Sequence, residues 1–180
     1  MNVCVFCGSG TGTNPVYAEA AKDLALLLIR NKCTLVYGGG NIGLMGILAD
    51  EMLKNSARVI GVIPDFLVQR EVAHSGLSEL IVVTSMHERK KRMADLTDVF
   101  IALPGGLGTL DEMAEILTWK QLGLIHNPVG LLNTYKYFDP LIRQLERMVE
   151  DGFLKLENLK AIKISNNPLR LLTLLGVFAH

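Results

Sequence analysis

Pro104-Gly-Gly-Leu-Gly-Thr-Leu-Asp-Glu112 follows an apolar run ending at Leu103 and leads into a helix-like pattern over Leu110–Leu122. An apolar strand therefore ends in backbone nearly bare of side chains, and a helix is expected where the bare backbone stops. Amides without Cβ crowding, aimed from a helix N-terminus, form a site suited to phosphate. Asp111 and Glu112 fall in the first turn of the expected helix. A phosphate cradle beside a carboxylate points to chemistry on a phosphorylated small molecule.

The same strand–loop–helix unit recurs outward from this stretch. Apolar, β-branched runs occupy Val3–Phe6, Thr34–Tyr37, Arg58–Ile63, Leu80–Val83, Val99–Leu103 and Val129–Leu132. Helical periods lie between most of them, over Tyr17–Arg30, Leu44–Lys54, Met86–Leu96 and Leu110–Leu122, with another at Phe138–Glu150. A short strand near Ala161–Ile164 and a last helix from about Pro168 complete the pattern. Continuously apolar strands alternating with helices mean a parallel sheet covered on both sides. The expected fold is α/β, a three-layer Rossmann-like arrangement with a parallel central sheet and helices on both faces. No linker, repeat or low-complexity tract divides the chain, so residues 1–180 read as one nucleotide-binding domain.

Three strand ends carry glycine clusters: Cys7-Gly-Ser-Gly-Thr-Gly-Thr13, Tyr37-Gly-Gly-Gly-Asn-Ile-Gly-Leu-Met-Gly46 and the Pro104–Glu112 run. In an open α/β sheet, ligands bind beyond the carboxyl ends of the strands, where strand order reverses. Three such loops at one edge fit a nucleotide-sized ligand with a phosphate, although tight turns also use glycine for steric reasons. None matches the P-loop pattern, and the dinucleotide fingerprint is weak after Gly8-Ser9-Gly10.

Eighteen basic and eighteen acidic residues cancel, which argues against a broad nucleic-acid or membrane surface. No window approaches a membrane-spanning helix. The N-terminal run reads as a first strand rather than a signal peptide, which suggests a cytoplasmic protein. Cys4, Cys7 and Cys33 lack paired zinc spacing, and free thiols are the favoured reading over a redox Cys4-x-x-Cys7 pair. The scattered histidines offer no metal site, and neither a metal nor a cofactor is called for.

Met86-His-Glu-Arg-Lys-Lys-Arg-Met93 places Met86, Arg89, Lys90 and Met93 on one helix face. The methionines mark the buried side, so Arg89 is expected to turn inward, where a guanidinium needs an anion. Lys91 and Arg92 read as solvated. Glu112 has two readings. Thr109-x-x-Glu112 has capping-box spacing. A carboxylate beside a phosphate loop would otherwise weaken anion binding, which favours a role with water or a developing cation. Asp111 could share that role, but neighbouring helix positions point about 100° apart, so one of the two faces the ligand.

Together these residues resemble the LOG ("Lonely Guy") family, the cytokinin riboside 5′-monophosphate phosphoribohydrolases, many of whose bacterial members carry the label "possible lysine decarboxylase". The resemblance runs through Gly8-Ser9, Leu35–Gly40, Gly43-Leu-Met-Gly46, Val62-Ile-Pro64, Met86-His-x-Arg-Lys90, the Pro104–Glu112 motif and Pro128–Asn133, within residues 3 to 153. It departs at Gly10, where the family often has serine, and at Ser56-Ala57, where it has Gly-Gly. The resemblance implies hydrolysis of the N-glycosidic bond of an adenosine-type nucleoside 5′-monophosphate, a cytokinin nucleotide or AMP, with Arg89 and Glu112 as the catalytic pair. Its implied substrate contacts are Glu71, Arg89, Lys90 and the loop of Gly105, Gly106, Leu107, Gly108, Thr109, Leu110 and Asp111; Ser9, Gly39 and Gly40 are expected to help hold the 5′-phosphate and ribose, with Met86 a further contact. It also implies a homodimer, for which the apolar helix around Trp119–Leu124 is suited. The rivals are a non-catalytic nucleotide sensor or cofactor carrier, which has no need of Glu112, and a pyridoxal-dependent decarboxylase, for which no lysine is well placed.

Overall fold

The structure, a computed structural model, describes residues 1–68 and 73–178. Its seven strands are β1 Asn2–Phe6, β2 Thr34–Tyr37, β3 Val59–Pro64, β4 Glu79–Val83, β5 Val99–Ala102, β6 Val129–Leu132 and β7 Ile162–Ser165. Its helices are α1 Val16–Arg30, α2 Gly43–Lys54, α3 Met86–Asp95, α4 Leu107–Gln121, α5 Asp139–Glu150, α6 Leu156–Lys160 and α7 Pro168–Leu174. All the strands pair parallel in one sheet, ordered β4-β3-β2-β1-β5-β6-β7. This is the three-layer α/β architecture expected from the alternating runs. Among the described residues, no helix is long and apolar enough to cross a membrane.

The period of two along the strands divides the core. Val3 and Val5 of β1 pack with Leu24 and Leu28 of α1, Leu48 of α2 and Leu171 of α7. Cys4 and Phe6 face the other way, onto Met93 of α3 and Met113 and Ile116 of α4. Burying both faces explains why the central strands read as continuous apolar runs rather than alternating ones. At the β4 edge the pattern relaxes, with Leu80 and Val82 exposed.

The order reverses between β1 and β5. The chain steps outward from β1 to β4, then returns to lay β5 against β1, leaving a crevice at their carboxyl ends. Two glycine loops meet there, and the Gly8 N–H donates to Pro104 O at 3.1 Å. The approach leaves no room for side chains: a Cβ on Gly105 would lie 2.2 Å from Thr109 Oγ1 and 2.8 Å from Gly8 N.

Two expectations change. Helix α4 begins at Leu107, not Leu110, and its N-cap is Gly106. Glu112 therefore sits in the second turn, beyond the orphan amides a capping side chain serves, and the capping-box reading of Thr109 and Glu112 fails. A capping pair instead opens α3, where Ser85 Oγ accepts from Glu88 N–H and Glu88 Oε2 accepts from Thr84 N–H and Oγ–H. Helix α6 was not anticipated, its five residues being too few to show a period.

Candidate active site

A cavity of about 240 Å3 opens at the crevice. One wall is the end of β1 from Val5 to Ser9. A second comprises Gly38, Met45 and Leu67. Met86 and Arg89 of α3 form a third, and Gly106, Leu107, Gly108, Thr109 and Glu112 close the fourth from the start of α4.

Arg89 is 4% exposed and Glu112 8%. The Met86–Arg89–Met93 stripe turns the arginine inward as expected, with Met93 anchoring the buried side. Its Nε donates to Val62 O at 3.1 Å and Nη2 to Gly38 O at 3.0 Å. Nη1 lies 4.0 Å from Glu112 Oε1 and 3.9 Å from Met86 Sδ. Two main-chain carbonyls and a carboxylate thus hold the guanidinium plane in one orientation. Gly38 makes this geometry fit, because a Cβ there would lie 2.1 Å from Arg89 Nη2. Sequence reasoning missed Gly38 as a site residue. Its signal was present in the triple glycine, but nothing in the sequence said which of the three an arginine would press against.

The other expected residues separate. Ser9, Met86, Gly106, Leu107, Gly108 and Thr109 line the cavity with the catalytic candidates. Gly105 lines an adjoining cavity of about 270 Å3, shared across Gly8, Ser9 and Gly106 and walled by Tyr17 and Tyr137. Gly39 and Gly40 lie behind the wall: Gly39 O accepts from His74 N–H, and Gly40 bridges to Ala73. Leu110 packs into the core beneath α4. Glu71 lies outside the described residues.

Lys90 turns away from the cavity. Its Nζ contacts Asp111 Oδ2 at 3.1 Å and Glu115 Oε2 at 3.0 Å, joining α3 to α4. Burial works against its charge, but Glu115 and Asp111 outweigh it and hold its pKa above the ordinary lysine value. Asp111 is committed to that pair, so Glu112 is the carboxylate of the two that faces the cavity.

Cys7 also lines the cavity. Burial, then the nearby Glu112, pushes its thiol far above the ordinary range, so it stays protonated and unreactive. Cys4 belongs to the opposite face of the sheet, and both thiols are free and buried. The Cys4-x-x-Cys7 spacing therefore makes no redox pair. Among the described residues, no group of three or more histidine, cysteine or carboxylate side chains could hold a metal ion.

The departures noted in the sequence also become concrete. Open space lies where a Cβ on Gly10 would stand, so the absence of serine there is not steric. Ser56 adopts φ 56°, a left-handed conformation that glycine reaches without strain.

What remains is a buried arginine–glutamate pair facing the uncapped start of a helix, with apolar walls between. That arrangement can bind an anion at one end and place a carboxylate against an electron-poor carbon nearby.

Comparison with known proteins fits the geometry. Residues 45–175 match the family model described as "Possible lysine decarboxylase". A cytokinin riboside 5′-monophosphate phosphoribohydrolase of Arabidopsis thaliana is 47% identical over 153 residues, covering 85% of this chain and 67% of its own length. A second one from that plant is 42% identical over 173 residues, covering 96% and 81%. Among solved structures, the molybdenum cofactor binding protein of Rippkaea orientalis superposes with a TM-score of 0.70 at 23% identity, covering 97% of this chain and 94% of its own. At that identity the likeness is one of fold.

Proposed function

Since the chain belongs to the LOG family of cytokinin riboside 5′-monophosphate phosphoribohydrolases, we propose that it hydrolyses the N-glycosidic bond of an adenosine-type nucleoside 5′-monophosphate. The products are the free base and ribose 5-phosphate. One observation carries the reading: Arg89 and Glu112, from different helices, meet at 4.0 Å in a cavity whose end wall is the uncapped start of α4.

The chemistry follows from that placement. The first-turn amides of α4 take the 5′-phosphate, where free N–H groups and the helix dipole favour negative charge. Phosphate binding fixes the ribose, so that remote binding energy is converted into positioning at C1′. As the C1′–N9 bond lengthens, positive charge grows on the sugar, and the Glu112 carboxylate stabilises it. The same carboxylate orients a water and accepts its proton as the oxygen bonds to C1′. Arg89 donates toward the departing base. The bonding electrons leave with N9, and the purine takes up, through solvent, the proton that Glu112 removed from the water, which completes the free base and returns Glu112 to its starting form.

The decarboxylase label implies an imine-forming lysine, and among the described residues no lysine lines the cavity. A carrier without turnover has no use for a carboxylate buried against an arginine at its ligand. Both plain AMP and a cytokinin nucleotide fall within the proposal. The same reading includes a single domain and a homodimer. The dimer is supported by the exposure of Leu122 and Leu124, the latter lining a hollow with Trp119 between α3 and α4.

The test supplies AMP and isopentenyladenosine monophosphate side by side and measures free base by chromatography. Release from at least one is expected, and the ratio of kcat/KM values ranks them. No base from either nucleotide sinks the proposal.

A further inference from the structure

The amides that open α4 need an orientation as well as a position. Gly106 is the N-cap and has no side chain with which to cap the helix. First-turn N–H groups have no acceptor within their helix, so these are offered to an anion in the cavity. A carbonyl turned into the same space would repel that anion. The two carbonyls just before the helix are both held elsewhere. Pro104 O accepts from Gly8 N–H at 3.1 Å, and Gly105 O accepts from the Tyr137 hydroxyl. In a planar trans peptide, C=O and N–H point in opposite directions. Tying Gly105 O to Tyr137 therefore aims the Gly106 N–H away from Tyr137.

Tyr137 is itself locked. Its ring meets Phe138 edge-on, with centroids 5.1 Å apart, and Tyr17 at 5.8 Å. The turn that delivers it is strained, because Tyr135 and Lys136 adopt φ 52° and 60° with no glycine between them. Such conformations persist where the surroundings over-determine them, and they cluster at functional sites. Asn133 holds this one. Its Oδ1 accepts from Phe138 N–H at 2.7 Å, and its Nδ2 donates to Asp139 at 2.8 Å.

We infer that Tyr137 is a positioning residue for the 5′-phosphate: by holding the Gly105 carbonyl, its hydroxyl keeps that carbonyl off the anion and fixes the Gly106 N–H beside the amides that open α4. The inference rests on the phosphate-at-α4 reading above. Tyr137 lines the adjoining cavity rather than the one that holds Arg89 and Glu112.

Tyr137→Phe removes the hydroxyl alone and keeps both ring contacts. Calorimetric titration of wild type and variant with AMP and with adenosine separates phosphate binding from everything else. Losing one well-made hydrogen bond predicts AMP binding weaker by about tenfold and adenosine binding changed by less than about twofold. In turnover of isopentenyladenosine monophosphate, KM rises by a similar factor while kcat stays within about threefold, since the reacting carbon is still held against Glu112. A variant that keeps the full wild-type preference for AMP over adenosine overturns the inference and leaves the function standing. Equal weakening of both ligands, or a fall in kcat alone, marks a merely structural role and also overturns it. A wild-type protein that binds AMP no better than adenosine removes the phosphate reading itself, and the inference with it.

Discussion

Arg89 Nη1 stands 4.0 Å from Glu112 Oε1, with both side chains almost wholly buried and neither on a loop. The distance is long for an ion pair and short enough for strong coupling where water is scarce. The main-chain carbonyls of Gly38 and Val62 supply the close contacts to the guanidinium. The orientation of Arg89 therefore does not rest on Glu112 alone.

That independence makes Glu112→Gln the sharpest test of mechanism. The amide keeps the shape and removes the charge and the basicity. Turnover of the better nucleotide is expected to fall by about 10²–10⁴-fold, the range for a lost general base. AMP affinity, measured by calorimetry, is expected to stay within about threefold, because the phosphate contacts are untouched. Turnover within a factor of two of wild type would rule out a catalytic Glu112.

Gly38→Ala tests the arginine from the other side. The added methyl would stand 2.1 Å from Arg89 Nη2 and 3.2 Å from Met45 Sδ. Both atoms lie toward the ends of flexible side chains, so the fold can yield where the site cannot. A modest stability loss of about 1–3 kcal/mol is expected, as for overpacking elsewhere. Activity should fall at least tenfold, since a displaced guanidinium is misaimed. Thermal melts and steady-state rates on one preparation distinguish the two effects. A stable variant with normal kcat/KM would mean that Arg89 orientation is unimportant.

Which parts of this site were legible depended on how local their causes were. The inward turn of Arg89 followed from methionines at helical spacing, and the strand ends announced themselves through glycine. The start of α4 did not, because Gly106 caps without a side-chain signature while Thr109 and Glu112 happen to imitate one. The turning of Lys90 toward Asp111 and Glu115 depends on how α3 packs against α4, which no spacing within either helix encodes. Tyr137 was invisible for a similar reason: its approach to Gly105 depends on left-handed residues at 135 and 136 that are not glycines.

The capping pair of α3 gives the acid limb of stability a named contributor. Hydrogen bonds from the Thr84 N–H and hydroxyl hold the Glu88 carboxyl below its ordinary value of 4.5. A depressed pKa stabilises the fold above the unfolded value and loses that contribution as pH falls through the folded one. Urea midpoints of wild type should therefore drop more steeply than those of Glu88→Gln as pH falls from about 5 through and below the ordinary value of 4.5, with the two converging at the acid end. Parallel curves over that range would show that Glu88 does not contribute.

The strained turn before α5 predicts a gain. Lys136 is exposed and sits at φ 60°, where an L-residue is penalised by about 1–2 kcal/mol and glycine is not. Lys136→Gly relieves that penalty but gives the unfolded chain more freedom, leaving a net stabilisation of about 0.5–1 kcal/mol. Lys136→Ala keeps the Cβ and should gain nothing, which separates backbone strain from loss of the lysine side chain. Ser56, exposed at φ 56° after α2, offers the same relief at a second position. With no shared partners, Ser56→Gly and Lys136→Gly should add to within about 0.5 kcal/mol. Urea unfolding of wild type, the three single variants and the double variant, with unchanged slopes, provides the measurement. A glycine at 136 no more stable than the alanine would mean that the left-handed turn costs the fold nothing.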